Sequence, residues 1–261
     1  MNDYVDDLYF VYEDKPHHFC IEQDEDPWHP RDDQDGNLGH MMCWYPRYNL
    51  GDYKENNYDD PYEFLYELMN KESNKDDDEI QDMTIPQMLS YLTRKNYHFI
   101  PLAVYEHSGL TMWAGSKWSG IDAQWDCSDV GWIYTTMNEV LGSGCMLEGK
   151  RKWRKVTKRN WREAADKYLR YEVEHYDMWL NDEVYGFHDY LVDEDGDDGE
   201  EENSSWGYYE KYSSDLAEKI LYDQYKKDDV KIVSEDEAKS LAKEIAEEEA
   251  IMAQADYIYA V

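Results

Sequence analysis

Residues 99–113 read Phe-Ile-Pro-Leu-Ala-Val-Tyr-Glu-His-Ser-Gly-Leu-Thr-Met-Trp, and the fold turns on this stretch. Phe99 to Tyr105 is apolar and rich in β-branched or aromatic side chains. Glu106-His107-Ser108-Gly109 reads as a turn, and Leu110 to Trp113 as a returning strand. After a Gly- and Ser-rich loop, Val130 to Thr136 supplies another strand, so the pattern is that of an antiparallel meander. Further on, Asn160 and Glu163 have the spacing of a capping box. Trp161, Ala164, Ala165, Tyr168, Leu169, Tyr171, Val173, Tyr176 and Leu180 follow, mostly at helical spacing. The aromatic stripe on that helix reads as core rather than as a stacking platform. The expected fold class is α+β, an antiparallel β-meander packed against one long helix.

Towards the N-terminus, Leu8 to Tyr12 and His18 to Glu22 have short β patterns, and Met41 to Tyr45 is a third apolar run. Pro61 opens a helix carrying Phe64, Leu65 and Leu68. Another follows Pro86 to about Asn96, with residues 71–79 as a solvated loop between them. On the C-terminal side, Tyr185 to Val192 and Trp206 to Tyr209 read as strands around an acidic loop. Ser214 caps a helix from Leu216 to Lys226. Ser234 and Glu237 form a capping box for a last helix, with Ala238, Leu241, Ala242, Ile245, Ala246 and Ala250 on one face. That helix needs a partner surface, because propensity alone does not hold it in water. The expected segments are an acidic N-terminal α+β region (1–96), a central meander with its long helix (97–212) and a helical C-terminal extension (213–261).

Composition narrows the function classes. The 261 residues hold 60 Asp+Glu against 26 Lys+Arg, a formal net charge of −34. With 25 Tyr and 10 Trp, the chain is too aromatic for a disordered acidic protein. No apolar run approaches membrane-spanning length, and Met1-Asn2-Asp3-Tyr4 lacks the cationic start of a secretory signal. A bacterial cytoplasmic location is expected. A field this negative repels phosphates and anionic bilayers, so neither direct nucleic-acid binding nor membrane binding is expected.

The charge is uneven. Residues 1–90 carry 24 acids and 6 bases. A denser run, Asp193, Glu194, Asp195, Asp197, Asp198, Glu200, Glu201 and Glu202, is the candidate partner-binding surface. Against it stands a basic island, Lys150, Arg151, Lys152, Arg154, Lys155, Lys158, Arg159, Arg162, Lys167 and Arg170, with ten of the 26 bases. A counter-charge docking on an acidic surface fits this island better than a phosphate contact does. Arg151, Arg154 and Arg159, with Leu241 and Ile245 on the last helix, are the candidate self-association residues of a homo-oligomer.

Catalytic signatures are missing from the sequence: no phosphate-binding loop, nucleophile elbow, His-Glu-x-x-His or dinucleotide fingerprint is present. Glu106, His107 and Ser108 are adjacent and point apart on a turn, so they form no triad among themselves. Asp122, Asp126 and Asp129 lack the spacing of a calcium loop. Cys20, Cys43, Cys127 and Cys145 are scattered and read as reduced, mostly buried thiols rather than as a zinc site with His17, His18, His29 or His40. No enzyme activity, cofactor or metal is expected. A metal-dependent alternative would draw on Glu106, His107 and Asp126.

Several segments carry a resemblance. They are Asn37-Leu38-Gly39 to Met42-Cys43-Trp44, Arg47-Tyr48-Asn49-Leu50-Gly51-Asp52, Ile100-Pro101-Leu102 and Tyr105 to Met112. Trp125-Asp126, Val130-Gly131-Trp132-Ile133-Tyr134, Val173-Glu174, Tyr176-Asp177, Val184-Tyr185-Gly186-Phe187 and Trp206-Gly207-Tyr208-Tyr209 complete the set. In this order the chain resembles a family of uncharacterised acidic proteins encoded by bacteriophages and related mobile elements. It departs from the family pattern at Ser205, where a Cys is usual, and at Glu210, where a Gly is usual. The resemblance implies an accessory phage product acting in the host bacterial cytoplasm, and carries over no active site. Joined with the charge, it leads to the expectation of an anti-defence inhibitor. Such a protein binds and blocks a host defence nuclease or nuclease complex through an acidic, aromatic-rich surface, by DNA mimicry or by steric occlusion or caging. The alternative is a phage-internal structural or regulatory module.

Overall fold

The computed structural model describes residues 4–32, 36–53, 56–117, 126–149 and 152–259, with the backbone alone for 254–259. Along the chain the elements are β1 (Asp6–Tyr12), β2 (Lys15–Gln23), β3 (His40–Cys43), α1 (Pro61–Glu72), α2 (Asp77–Gln81), α3 (Ile85–Arg94), β4 (Tyr97–Glu106), β5 (Leu110–Ala114) and β6 (Cys127–Thr136). There follow α4 (Met137–Gly142), β7 (Met146–Leu147), β8 (Arg154–Lys155), α5 (Trp161–Leu180), β9 (Val184–Val192), β10 (Asp198–Tyr209), α6 (Leu216–Gln224), β11 (Val230–Val233) and α7 (Glu235–Tyr259). The fold is α+β with antiparallel sheets, as the sequence indicates. The chain forms two compact units, Met1–Trp28 with Asp182–Val261, and His29–Asn181. This division cuts across the segments 1–96, 97–212 and 213–261, because strands from both ends of the chain share one sheet.

The unit His29–Asn181 is built on the deciding stretch. Its sheet runs β3-β6-β4-β5, with β4 and β5 joined at the 106–109 turn and β6 paired along the other side of β4. Alternation sorts the side chains. Ile100, Leu102 and Val104 meet Leu169, Val173 and Tyr176 of α5 on one face, while Tyr97 and Phe99 meet Phe64, Leu65, Met69, Met88 and Leu92 of α1 and α3 on the other. Each such aliphatic side chain contributes roughly 1.5–3 kcal/mol by leaving water. The stripe on α5 divides: Trp161 and Tyr176 are buried, whereas Tyr171 is exposed.

Two local expectations change. Asn160 does precede α5, but its side chain accepts from Thr157 N and Oγ1 instead of capping the helix. Glu163 bonds Arg154. The 71–79 loop is partly helical, because α1 runs to Glu72 and Asp76 caps α2 through Glu79 N at 2.9 Å.

In the other unit the sheet order is β10-β9-β2-β1-β11. Phe10, Phe19, Ile21, Tyr185 and Phe187 face α6, through Leu216, Ala217, Ile220 and Leu221. The start of α7 packs Ala238 and Ala242 against Val192, with Tyr9 and Val233 beside them. Its capping box is present, with Ser234 N donating to Glu237 and Glu237 N to Ser234 Oγ. Among the described residues, no helix is long and apolar enough to cross a membrane.

Candidate functional site

The acidic run is a hairpin rather than a loop. β9 and β10 pair antiparallel from Val184↔Tyr209 to Val192↔Asp198, so Asp198, Glu200, Glu201 and Glu202 lie on a strand. Composition alone argues against a strand here, and pairing with β9 overrides it. Asp193 organises the turn: its carboxylate accepts from Asp195 N at 3.0 Å and Asp197 N at 2.9 Å. Gly196 sits in the left-handed region at φ +83.

Three of the eight carboxylates are thus committed locally. Asp193 holds the turn, Asp198 Oδ1 lies 2.6 Å from His18 Nδ1, and Glu201 Oε1 lies 2.7 Å from His188 Nδ1. The His188 contact holds the Glu201 carboxyl below its ordinary value. Glu194, Asp195, Asp197, Glu200 and Glu202 are exposed. β10 is an edge strand, so one side of its backbone faces no neighbour in the sheet. The carboxylates keep that edge from pairing with another strand and align negative charge along it. The pairing with β9 is irregular between Asp198 and Asn203, and side chains alternate between faces, so the carboxylates spread over both faces of the edge. Further along the strand, Trp206 is 48% exposed, lies across Gly186 and meets His188 edge-on. Acid row and aromatic side chain therefore share one strand.

Part of the basic island is engaged within its own unit. Arg154 Nη2 lies 2.8 Å from Glu163, and Arg170 bonds Asp166 and the Ala114 carbonyl. Arg162 donates to Thr93 O and stacks on Trp161. Arg159 is exposed, and Lys150 and Arg151 lie outside the described residues. On α7, Leu241 and Ile245 are half-buried, and the helix is exposed from Glu247 to Ala253, including Ile251 and Met252.

Of the metal-enzyme alternative, His107 Nδ1 and the half-buried Asp126 lie 3.7 Å apart, while the Glu106 carboxylate is taken by Tyr45 and Arg47. Asp122 lies outside the described residues, and Asp129 accepts from Lys117 N. The four cysteines are free thiols.

Sequence reasoning missed a cleft of about 500 Å³ in the unit His29–Asn181. His40 Nε2 lies 3.0 Å from Glu139 Oε1, and Tyr97 OH donates to Glu72 at 3.0 Å, with Lys71, Lys95 and Tyr134 around them. Glu139 raises the His40 pKa through their bond. Burial alone would raise the Glu139 carboxyl, but its bonds from His40 and Thr136 bring it down to about 2. The imidazole is therefore an ion-pair partner more than a free base. Only the capping spacing of Thr136 and Glu139 could have pointed to this place in the sequence.

The arrangement defines a class, a two-unit α+β protein with an acidic aromatic edge. No family model, curated protein or solved structure matches the chain.

Proposed function

We propose that this chain is a phage-encoded anti-defence inhibitor, acting in the host bacterial cytoplasm by binding the basic surface of a defence nuclease or nuclease complex. The observation that carries the reading is the exposed edge strand β10, with Glu200, Glu201 and Glu202 in succession and Trp206 on the same strand. Carboxylates in a row attract a surface built to hold phosphates, and an aromatic side chain anchors a protein interface. The net charge of −34 and the phage-family resemblance support the same reading.

The test is an affinity pull-down with tagged protein from a bacterial lysate, washed at low and then high salt. A nuclease or defence complex that elutes with salt supports charge-led mimicry. The same complex resisting salt supports aromatic, shape-based capture, which still blocks the target by occlusion. No bacterial partner in either wash contradicts the proposal and leaves a phage-internal module.

A further inference from the structure

On the face of the β10-β9-β2-β1-β11 sheet against which α7 begins to pack, strand alternation gathers soft and hard metal ligands. His18 and Cys20 are two apart on β2 and share that face. Asp7 on β1 lies opposite Cys20, and Tyr9 opposite His18. Asp198 comes from β10, across β9. One donor atom from each of His18, Cys20 and Asp198 lies within 4.8 Å of the others. Cys20 Sγ is 3.4 Å from both imidazole nitrogens. A tetrahedral zinc ion separates a nitrogen and a sulfur ligand by about 3.6 Å, given bond lengths of roughly 2.0–2.1 and 2.3 Å.

Each ring nitrogen faces a carboxylate, and the sulfur, equidistant from both nitrogens, stands over the ring face, so holding one ion between Nδ1 and Sγ requires the imidazole to turn. Asp198 faces Nδ1 at 2.6 Å and Asp7 Oδ2 faces Nε2 at 3.2 Å. Tyr9 stacks flat on the imidazole, with centroids 4.2 Å apart and planes at 6°. Tyr4 meets it edge-on and donates to Asp198 Oδ2. His18 and Cys20 are buried, while Asp198 is exposed and gives an entry path.

We propose that His18 Nδ1, Cys20 Sγ and Asp198 bind one Zn2+ ion or a metal of similar softness, with Asp7 accepting from His18 Nε2–H behind it. Binding expels the Cys20 thiol proton and takes place at an Nδ1 that bears no hydrogen, and the His18–Asp198 hydrogen bond opens to admit the ion. The thiolate sets this site apart from the bare carboxylates of the hairpin, which attract Ca2+ or Mg2+ without selecting zinc. The proposal is independent of the inhibitor reading, since it requires no partner.

The experiment is a Co2+ titration of the full chain under reducing conditions, followed in the near ultraviolet. Expected is a thiolate-to-cobalt charge-transfer band that saturates at one equivalent and is displaced by Zn2+. The band disappears in Cys20→Ser and persists in Cys127→Ser. Asp198→Asn, compared with the wild type only where circular dichroism shows both equally folded, is expected to weaken Co2+ binding at least tenfold. Asp7→Asn is expected to weaken it about 10–100-fold, as loss of a partner behind a ligand does elsewhere. Absence of the band in the wild type, its survival in Cys20→Ser, or unchanged affinity in Asp198→Asn overturns the proposal.

Discussion

At the scale of single residues, Arg31 shows how a strongly acidic chain keeps charge inside. Its Nε and Nη2 bond Asp52 at 2.7 and 3.1 Å, Nη1 bonds Glu172 at 2.8 Å, and Nη2 also reaches Gly39 O. Burial raises the Glu172 carboxyl despite Arg31 and the Leu38 and Gly39 amides. Removing the guanidinium leaves two buried carboxylates without a cation, so Arg31→Ala is expected to cost about 3–5 kcal/mol in urea unfolding. A loss under about 1 kcal/mol would contradict the pairing. The His40–Glu139 contact makes a pH prediction. Its raised His40 contributes stability that is full below the ordinary histidine pKa and is lost as pH climbs through the raised value. The depressed Glu139 contributes stability present above the ordinary carboxylate range and lost on the way down to about 2. Both side chains are 41% exposed, so solvent screens the pair and the effect is small. The melting temperature of His40→Gln should therefore fall furthest below wild type between about pH 4.5 and 6.5 and approach it at either extreme. A constant offset across that range would argue against the pair. None of these contacts was legible in the sequence, because Arg31 meets carboxylates 21 and 141 positions away.

At the scale of elements, Gly131 fixes how β6 passes β3. It sits at φ +152, and a Cβ there would stand 2.0 Å from the Met42 carbonyl oxygen. Gly131→Ala must push two paired backbones apart, with an expected cost on the order of 3 kcal/mol in denaturant melts; a near-neutral result would show that the strands separate easily. The deciding stretch 99–113, the helices after Pro61 and Pro86 and the box at Ser234 were readable because alternation, proline and capping spacing are local signals. β11 was not, since Val230–Val233 is four residues long and takes its place by pairing with β1. The acidic half of β10 and the closing of one sheet by strands from both chain ends were hidden for the same reason, as each depends on a distant partner. The candidate site was half legible: the acidic run was visible as composition, but its strand form and its histidine partners were not.

At the scale of the whole molecule, the covered start of α7 and its exposed stretch from Glu247 to Ala253 bear on self-association. Ala238 and Ala242 already have their partner in the sheet, so a second copy would engage Leu241, Ile245, Ile251 and Met252. Light scattering at physiological salt is expected to show an oligomer that Ile245→Glu disrupts, and a strict monomer in the wild type refutes self-association. The central claim is that the β9–β10 hairpin presents the acids that capture a basic bacterial partner. Its most direct measurement compares lysate capture by the wild type with capture by a variant carrying Glu194→Gln, Asp195→Asn, Glu200→Gln and Glu202→Gln, which leaves Asp193, Asp198 and Glu201 in place. The wild type is expected to retain a defence nuclease or its complex, and the variant, equally folded by circular dichroism, to lose most of it. Equal capture by both proteins would contradict the claim that this hairpin is the binding surface.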